Sequence, residues 1–101
     1  MSIKIGNYNF DVPLTNTSNL KNQSGVYAIL GRSASSQSWK VVDIGESATV
    51  KDRVESHDRS DCWKRQGHST LAVAAYYCNE SQRMRIEGEL RNQFNPPCGE
   101  K

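Results

Sequence analysis

The chain predicts a small α+β fold, a three-stranded antiparallel central sheet flanked by helices. Three apolar runs suggest the strands, at residues 26–30, 39–44 and 71–77. A helical pattern at 80–94 follows the third run and stops before Pro96-Pro97. The first two runs are separated only by the turn at 31–38, and so short a link joins antiparallel neighbours; a parallel pair needs a longer crossover. At 101 residues the chain holds one domain, so any site must be built on this single scaffold.

Taken in order, Ile3, Ile5, Tyr8, Phe10 and Val12 alternate with polar residues and predict a short strand or hairpin that Pro13 ends. Residues 15–24 are rich in Asn and Ser and predict a connection holding at most one helical turn. Gly25 punctuates the entry to the first sheet strand, and Gly45 closes the second. Thr49 then predicts an N-cap, with Asp52 three residues on as a weaker relative of a capping box, for a helix over 50–59. On that helix Arg53 and His57 stand four residues apart on one face. Residues 61–69 predict irregular chain with Cys62-Trp63 as a buried anchor, and Asn79 predicts the cap of the last helix. The division is an N-terminal extension at 1–23, a main domain at 24–97 and a tail at 98–101.

Hydrophobic content of 36% and charged content of 24% suit a water-soluble domain, and no apolar run approaches the ~18 residues of a membrane span. The N-terminus lacks a basic segment followed by an apolar core, so the expected location is cytoplasmic, with no membrane partner. Cys62, Cys78 and Cys98 are an odd number at wide spacing, which predicts free thiols. A formal charge of +2 says little about nucleic acid by itself. Locally, Lys51, Arg59, Lys64 and Arg65 offer candidate nucleic-acid contacts, diluted by Asp52, Glu55, Asp58 and Asp61 into what equally reads as a solvated helix face.

Hydrolysis of a phosphodiester needs groups that neutralise phosphate oxygens, activate water and stabilise the leaving oxygen. The guanidinium of Arg53 can grip two phosphate oxygens. Glu87 offers a hard oxygen ligand for Mg2+ or Mn2+, with water and substrate completing the shell. Tyr27 can position or deprotonate water if a nearby cation lowers its phenol pKa, and His57 can relay that proton or bind phosphate. Each also has an ordinary role: Tyr27 as core, Arg53 and Glu87 as surface charges, His57 and His68 as surface or loop residues, and Trp39, Trp63 and Phe94 as packing.

The order of these residues resembles the GIY-YIG nuclease family. Gly25-Val26-Tyr27 resembles its first signature, and Asp43-Ile44-Gly45 resembles the second with its first residue changed. Arg53 falls at the family's helix arginine, His57 matches the histidine one turn later, and Glu87 with Pro96 resembles the metal-binding helix and its end. The likeness spans about residues 24–97. It implies a metal-dependent endonuclease that hydrolyses DNA, with one Mg2+ or Mn2+ at Glu87, Tyr27 as candidate general base and Arg53 on the scissile phosphate. The chain departs from the family at Asp43, where a tyrosine is usual, and at Cys98-Gly99, where an asparagine is common.

Asp43 has three readings. It can activate water or act as a second metal ligand; it can face the phosphate and repel it; or it can pair with Arg53 and withdraw that residue from substrate. The alternative function is a catalytically inactive or repurposed nucleic-acid-binding domain of the same fold. DNA is the expected partner, with RNA open, and selectivity on so small a domain would need a protein partner, a homodimer or substrate shape to supply more contacts.

Overall fold

A computed structural model describes residues 2–98. The chain opens with a hairpin of β1 (Ser2–Ile5) and β2 (Tyr8–Asp11), turned at Gly6, whose φ of +60° is a left-handed value that glycine adopts without strain. A single 3-10 turn at Thr17–Asn19 lies in the connection that follows. The central sheet contains β3 (Gly25–Arg32), β4 (Lys40–Ser47) and β5 (Thr70–Tyr77), all antiparallel, in the order β4-β3-β5. The predicted α+β class and three-stranded antiparallel sheet are therefore present.

The sheet is covered on both sides. On one face Tyr27, Ile29, Val42, Val73 and Ala75 pack with Val50 and Val54 of α1 (Val50–Glu55) and Trp63 of α2 (Ser60–Arg65). On the other, Val26, Ala28, Leu30, Ile44 and Ala74 pack with Ile86 and Leu90 of α3 (Glu80–Phe94) and with Ile5 and Phe10 of the hairpin. The short hairpin expected near the N-terminus is present, and its Phe10 is fully buried.

The first helix differs from its predicted extent. It ends at Glu55, residues 56–59 turn, and a second helix begins at Ser60 and covers 61–65, where irregular chain was expected. The break carries His57 inward, where its imidazole is buried against Tyr27 and Trp63, a position that a continuous surface helix would deny it. Nor does the Thr49 side chain cap α1. The cap comes from the preceding connection: Asn22 accepts the Asp52 amide at 3.0 Å, and the Gln23 carbonyl accepts that of Val50. By contrast α3 starts at Asn79 with a full capping box to Gln82 and ends with Asn95 in the left-handed region just before Pro96.

Strand β4 is an edge strand, and two features manage that edge. Ile29 pairs with Asp43 and Leu30 with Val41, so Val42 is the extra residue of a β-bulge. The chain after α3 returns to this point, where the Cys98 amide donates to the Val42 carbonyl at 3.0 Å. Cys98 is also disulfide-bonded to Cys62 of α2, which corrects the expectation of free thiols; only Cys78 is free among the described residues. Wide spacing along the chain hid a pair that the bulged edge and α2 bring to a Cα separation of 5.9 Å.

Candidate active-site cleft

Tyr27 lies at the middle of the sheet directly opposite Gly45, and the glycine is a steric requirement. A β-carbon on Gly45 would sit 2.2 Å from the Tyr27 hydroxyl and 2.3 Å from its ring carbon Cζ. The phenol therefore lies across the strand at the one place without a side chain. Its oxygen is 2.6 Å from His57 Nε2. At the far side of that ring, Nδ1 accepts the Arg59 amide at 3.0 Å, so the neutral imidazole carries its hydrogen on Nε2 and donates it to the tyrosine. Burial, reinforced by the positive charges of Arg53 and Arg59, pushes the His57 pKa down to about 4 and keeps it neutral.

The same burial pushes the Tyr27 phenol up to about 12, outweighing the Arg53 guanidinium that pulls it down. The expected cation-lowered phenol is thus corrected by desolvation. What remains is a neutral hydroxyl whose lone pair is held by His57 and whose own hydrogen is left to turn elsewhere. His57 is enclosed and does not present itself to a phosphate.

Of the three readings of Asp43, the geometry matches the ion-paired one, with different arginines. Asp43 has no exposed surface and receives five N–H groups. Its Oδ1 accepts the Ile44 amide (2.8 Å), Arg59 Nη2 (3.2 Å) and Arg91 Nη2 (3.3 Å), while Oδ2 accepts Arg59 Nε (2.9 Å) and Trp63 Nε1 (2.7 Å). A carboxylate so fully engaged is an ion-paired anchor, and the roles of water base and second metal ligand give way to it. Its pairing partners are Arg59 and Arg91; Arg53 instead approaches Asp58 at 3.5 Å.

Around these groups opens a cleft of about 370 Å³, lined by Tyr27, Gly45 and Glu46 from the sheet, Arg53 from α1, Arg59 from the link to α2, and Glu87 and Arg91 from α3. Of the expected site residues, Tyr27, Arg53 and Glu87 meet at this cleft, His57 stands behind Tyr27, and Asp43 stands behind the arginines. Arg59, expected as a surface contact, is a partly buried wall of the cleft. Lys51, Lys64 and Arg65 do not line it. Arg91 and Trp63 were missed as site residues. The spacing of Arg91 four residues after Glu87 was a signal for the first, and a buried indole N–H needing an acceptor was a signal for the second.

Five arginine–carboxylate pairs surround the cleft: Arg53 with Asp58, Arg59 with Asp43, Arg83 with Glu46, and Arg91 with both Glu87 and Asp43. Arginine and carboxylate are balanced, which leaves a phosphate little unopposed charge. Among the described residues no three His, Cys, Asp or Glu side chains gather around one point. Glu87 fits a divalent ion on narrower terms: its Oε2 accepts Arg91 Nε, its Oε1 has no protein donor, and it borders the cleft. One carboxylate oxygen with room for water and a phosphate is a donor set that suits Mg2+ or Mn2+.

Compared with known proteins, the chain matches no family model, no curated protein and no solved structure. No helix among the described residues is long and apolar enough to cross a membrane.

Proposed function

We propose that the chain is a metal-dependent endonuclease of the GIY-YIG type that hydrolyses DNA phosphodiester bonds. The observation that carries this reading is the meeting of Tyr27, Arg53 and Glu87, from β3, α1 and α3, on one open cleft. In this reading Arg53, with 40% of its side chain exposed, takes the non-bridging oxygens of the scissile phosphate. The neutral Tyr27 hydroxyl, held through its lone pair by the Nε2 hydrogen of His57, orients the attacking water with its own hydrogen, and the proton that the water loses passes to solvent in the open cleft. Glu87 holds Mg2+ or Mn2+, which when bound supplies the positive charge that the balanced ion pairs withhold. Purified protein should nick duplex, branched or single-stranded DNA when either metal is added. No cleavage of any of the three, with folded protein, would sink the reading.

A second reading, a nucleic-acid-binding domain without turnover, draws support from Asp43. That residue stands where the related signature carries a tyrosine, and its carboxylate is spent on arginines. It predicts a salt-sensitive affinity for DNA or RNA with no cleavage under the same conditions.

A further inference from the structure

Asp43 costs the fold the burial of a carboxylate, and what surrounds it shows what that burial organises. The bulge at Val42 sets Asp43 at the sheet edge, where groups from both helical layers reach it. Arg59 arrives from the α1/α2 layer through Nε and Nη2, and Arg91 arrives from α3 through Nη2. Trp63 Nε1 and the Ile44 amide complete the carboxylate's shell, so it has no capacity left for a ligand of its own. Both guanidiniums border the cleft on their other side, with 26% of the Arg59 side chain and 14% of the Arg91 side chain exposed. Neither Nη1 has a protein acceptor among the described residues.

We propose that Asp43 is a positioning residue that fixes Arg59 and Arg91, one from each layer, as a two-guanidinium clamp for phosphate oxygens of a bound nucleic-acid strand, in addition to Arg53. The proposal rests on the nucleic-acid reading of the cleft but not on catalysis. A guanidinium held at Nε and Nη2 keeps a fixed plane, so its remaining N–H groups meet an oxyanion without first losing side-chain freedom. The tie of Arg91 to Glu87 fits the same picture. Arg59, Asp43 and Arg91 together carry one positive charge, and Glu87 meets it only at Arg91 Nε, so both Nη1 groups stay available at the cleft wall whether or not Glu87 holds a metal.

The sign of one substitution separates positioning from simple charge. Asp43→Asn removes a negative charge beside an anionic ligand, so Coulomb attraction alone predicts tighter binding. Positioning predicts weaker binding, because the amide releases at least one guanidinium. The test is the affinity of a short DNA duplex in EDTA, read by fluorescence anisotropy across a salt series, for wild type, Asp43→Asn, Arg59→Gln and Arg59→Lys. The exposed Asp61→Asn variant is the charge control. Asp43→Asn and Arg59→Gln are each expected to weaken binding about tenfold, and Arg59→Gln to lower the salt slope by about 1. Asp61→Asn is expected to bind slightly tighter. A folded Asp43→Asn protein that binds as well as wild type or better overturns the clamp. If that variant does not fold, Arg59→Lys decides: it keeps the charge and loses the fork, and full retention of affinity overturns the proposal. A wild type with no salt-dependent affinity also overturns it. Wild type that binds in this way yet never cleaves with Mg2+ or Mn2+ sinks the nuclease reading and leaves the clamp intact.

Discussion

The two faces of the central sheet are buried to a similar depth but by different chemistry. Toward α3 and the hairpin, Val26, Ala28, Leu30 and Ile44 meet Ile86, Leu90, Ile5 and Phe10, none with a polar side-chain atom. Toward α1 and α2, buried Tyr27, Asp43 and His57 lie among the apolar residues, and no buried side-chain nitrogen or oxygen among the described residues lacks a partner. An apolar face tolerates some sliding and repacking, whereas a bonded polar face has few alternative arrangements. The difference is one of kind: one face is held by apolar packing alone, and the other also holds a fixed polar constellation at the cleft.

That difference can be broken from either side. The largest loss of stability is expected from Leu90→Ala, which opens a cavity in the apolar face and should cost about 2–5 kcal/mol in a denaturant titration. The cleft geometry should survive in the fraction that stays folded. Cys98→Ser removes the link that fastens the returning chain to α2, and should cost about 2–4 kcal/mol. Because α2 carries Trp63 and follows Arg59, this variant should also weaken DNA affinity, whereas Leu90→Ala at matched folded fraction should not.

Gly45→Ala attacks the polar face with a single methyl group. The Tyr27 ring lies where that methyl must go and is pinned by His57, so about 1–3 kcal/mol of stability should be lost together with most of the proposed DNA nicking. The smallest effect expected is in acid. The folded protein resists protonating His57 until about pH 4, whereas an unfolded histidine takes up its proton near 6.5. The unfolded state therefore binds the extra proton across that window, and stability falls as pH drops through it. His57→Gln should flatten this part of a stability profile measured by thermal melting, and an unchanged profile would contradict the buried neutral imidazole.

The apolar face was the more legible of the two from sequence. Alternation and helical spacing reported its strands and the 80–94 helix, because burying a continuous apolar surface is what those patterns encode. The Tyr27, Arg53 and Glu87 positions could be picked out by order along the chain, yet the roles of the groups around them could not. His57 turned inward because a helix broke at Ser56, a change that its polar local sequence did not announce. The bond from Cys62 to Cys98 and the pairing of Asp43 with Arg59 and Arg91 join residues 16 to 48 positions apart. Such contacts are set by the bulge and the return of the chain to the β4 edge, which only the three-dimensional packing determines. The pKa of Tyr27 failed for a related reason: sequence offered a nearby cation but no measure of burial, and burial was the larger effect.

The proposal that the cleft cuts DNA is tested most directly by nicking of a supercoiled plasmid in Mg2+ or Mn2+ by wild type and by Glu87→Ala. Glu87 is partly exposed, so the variant should fold normally while its cleavage falls by at least about a hundredfold. Equal nicking by the two proteins, or none by either, would contradict the claim.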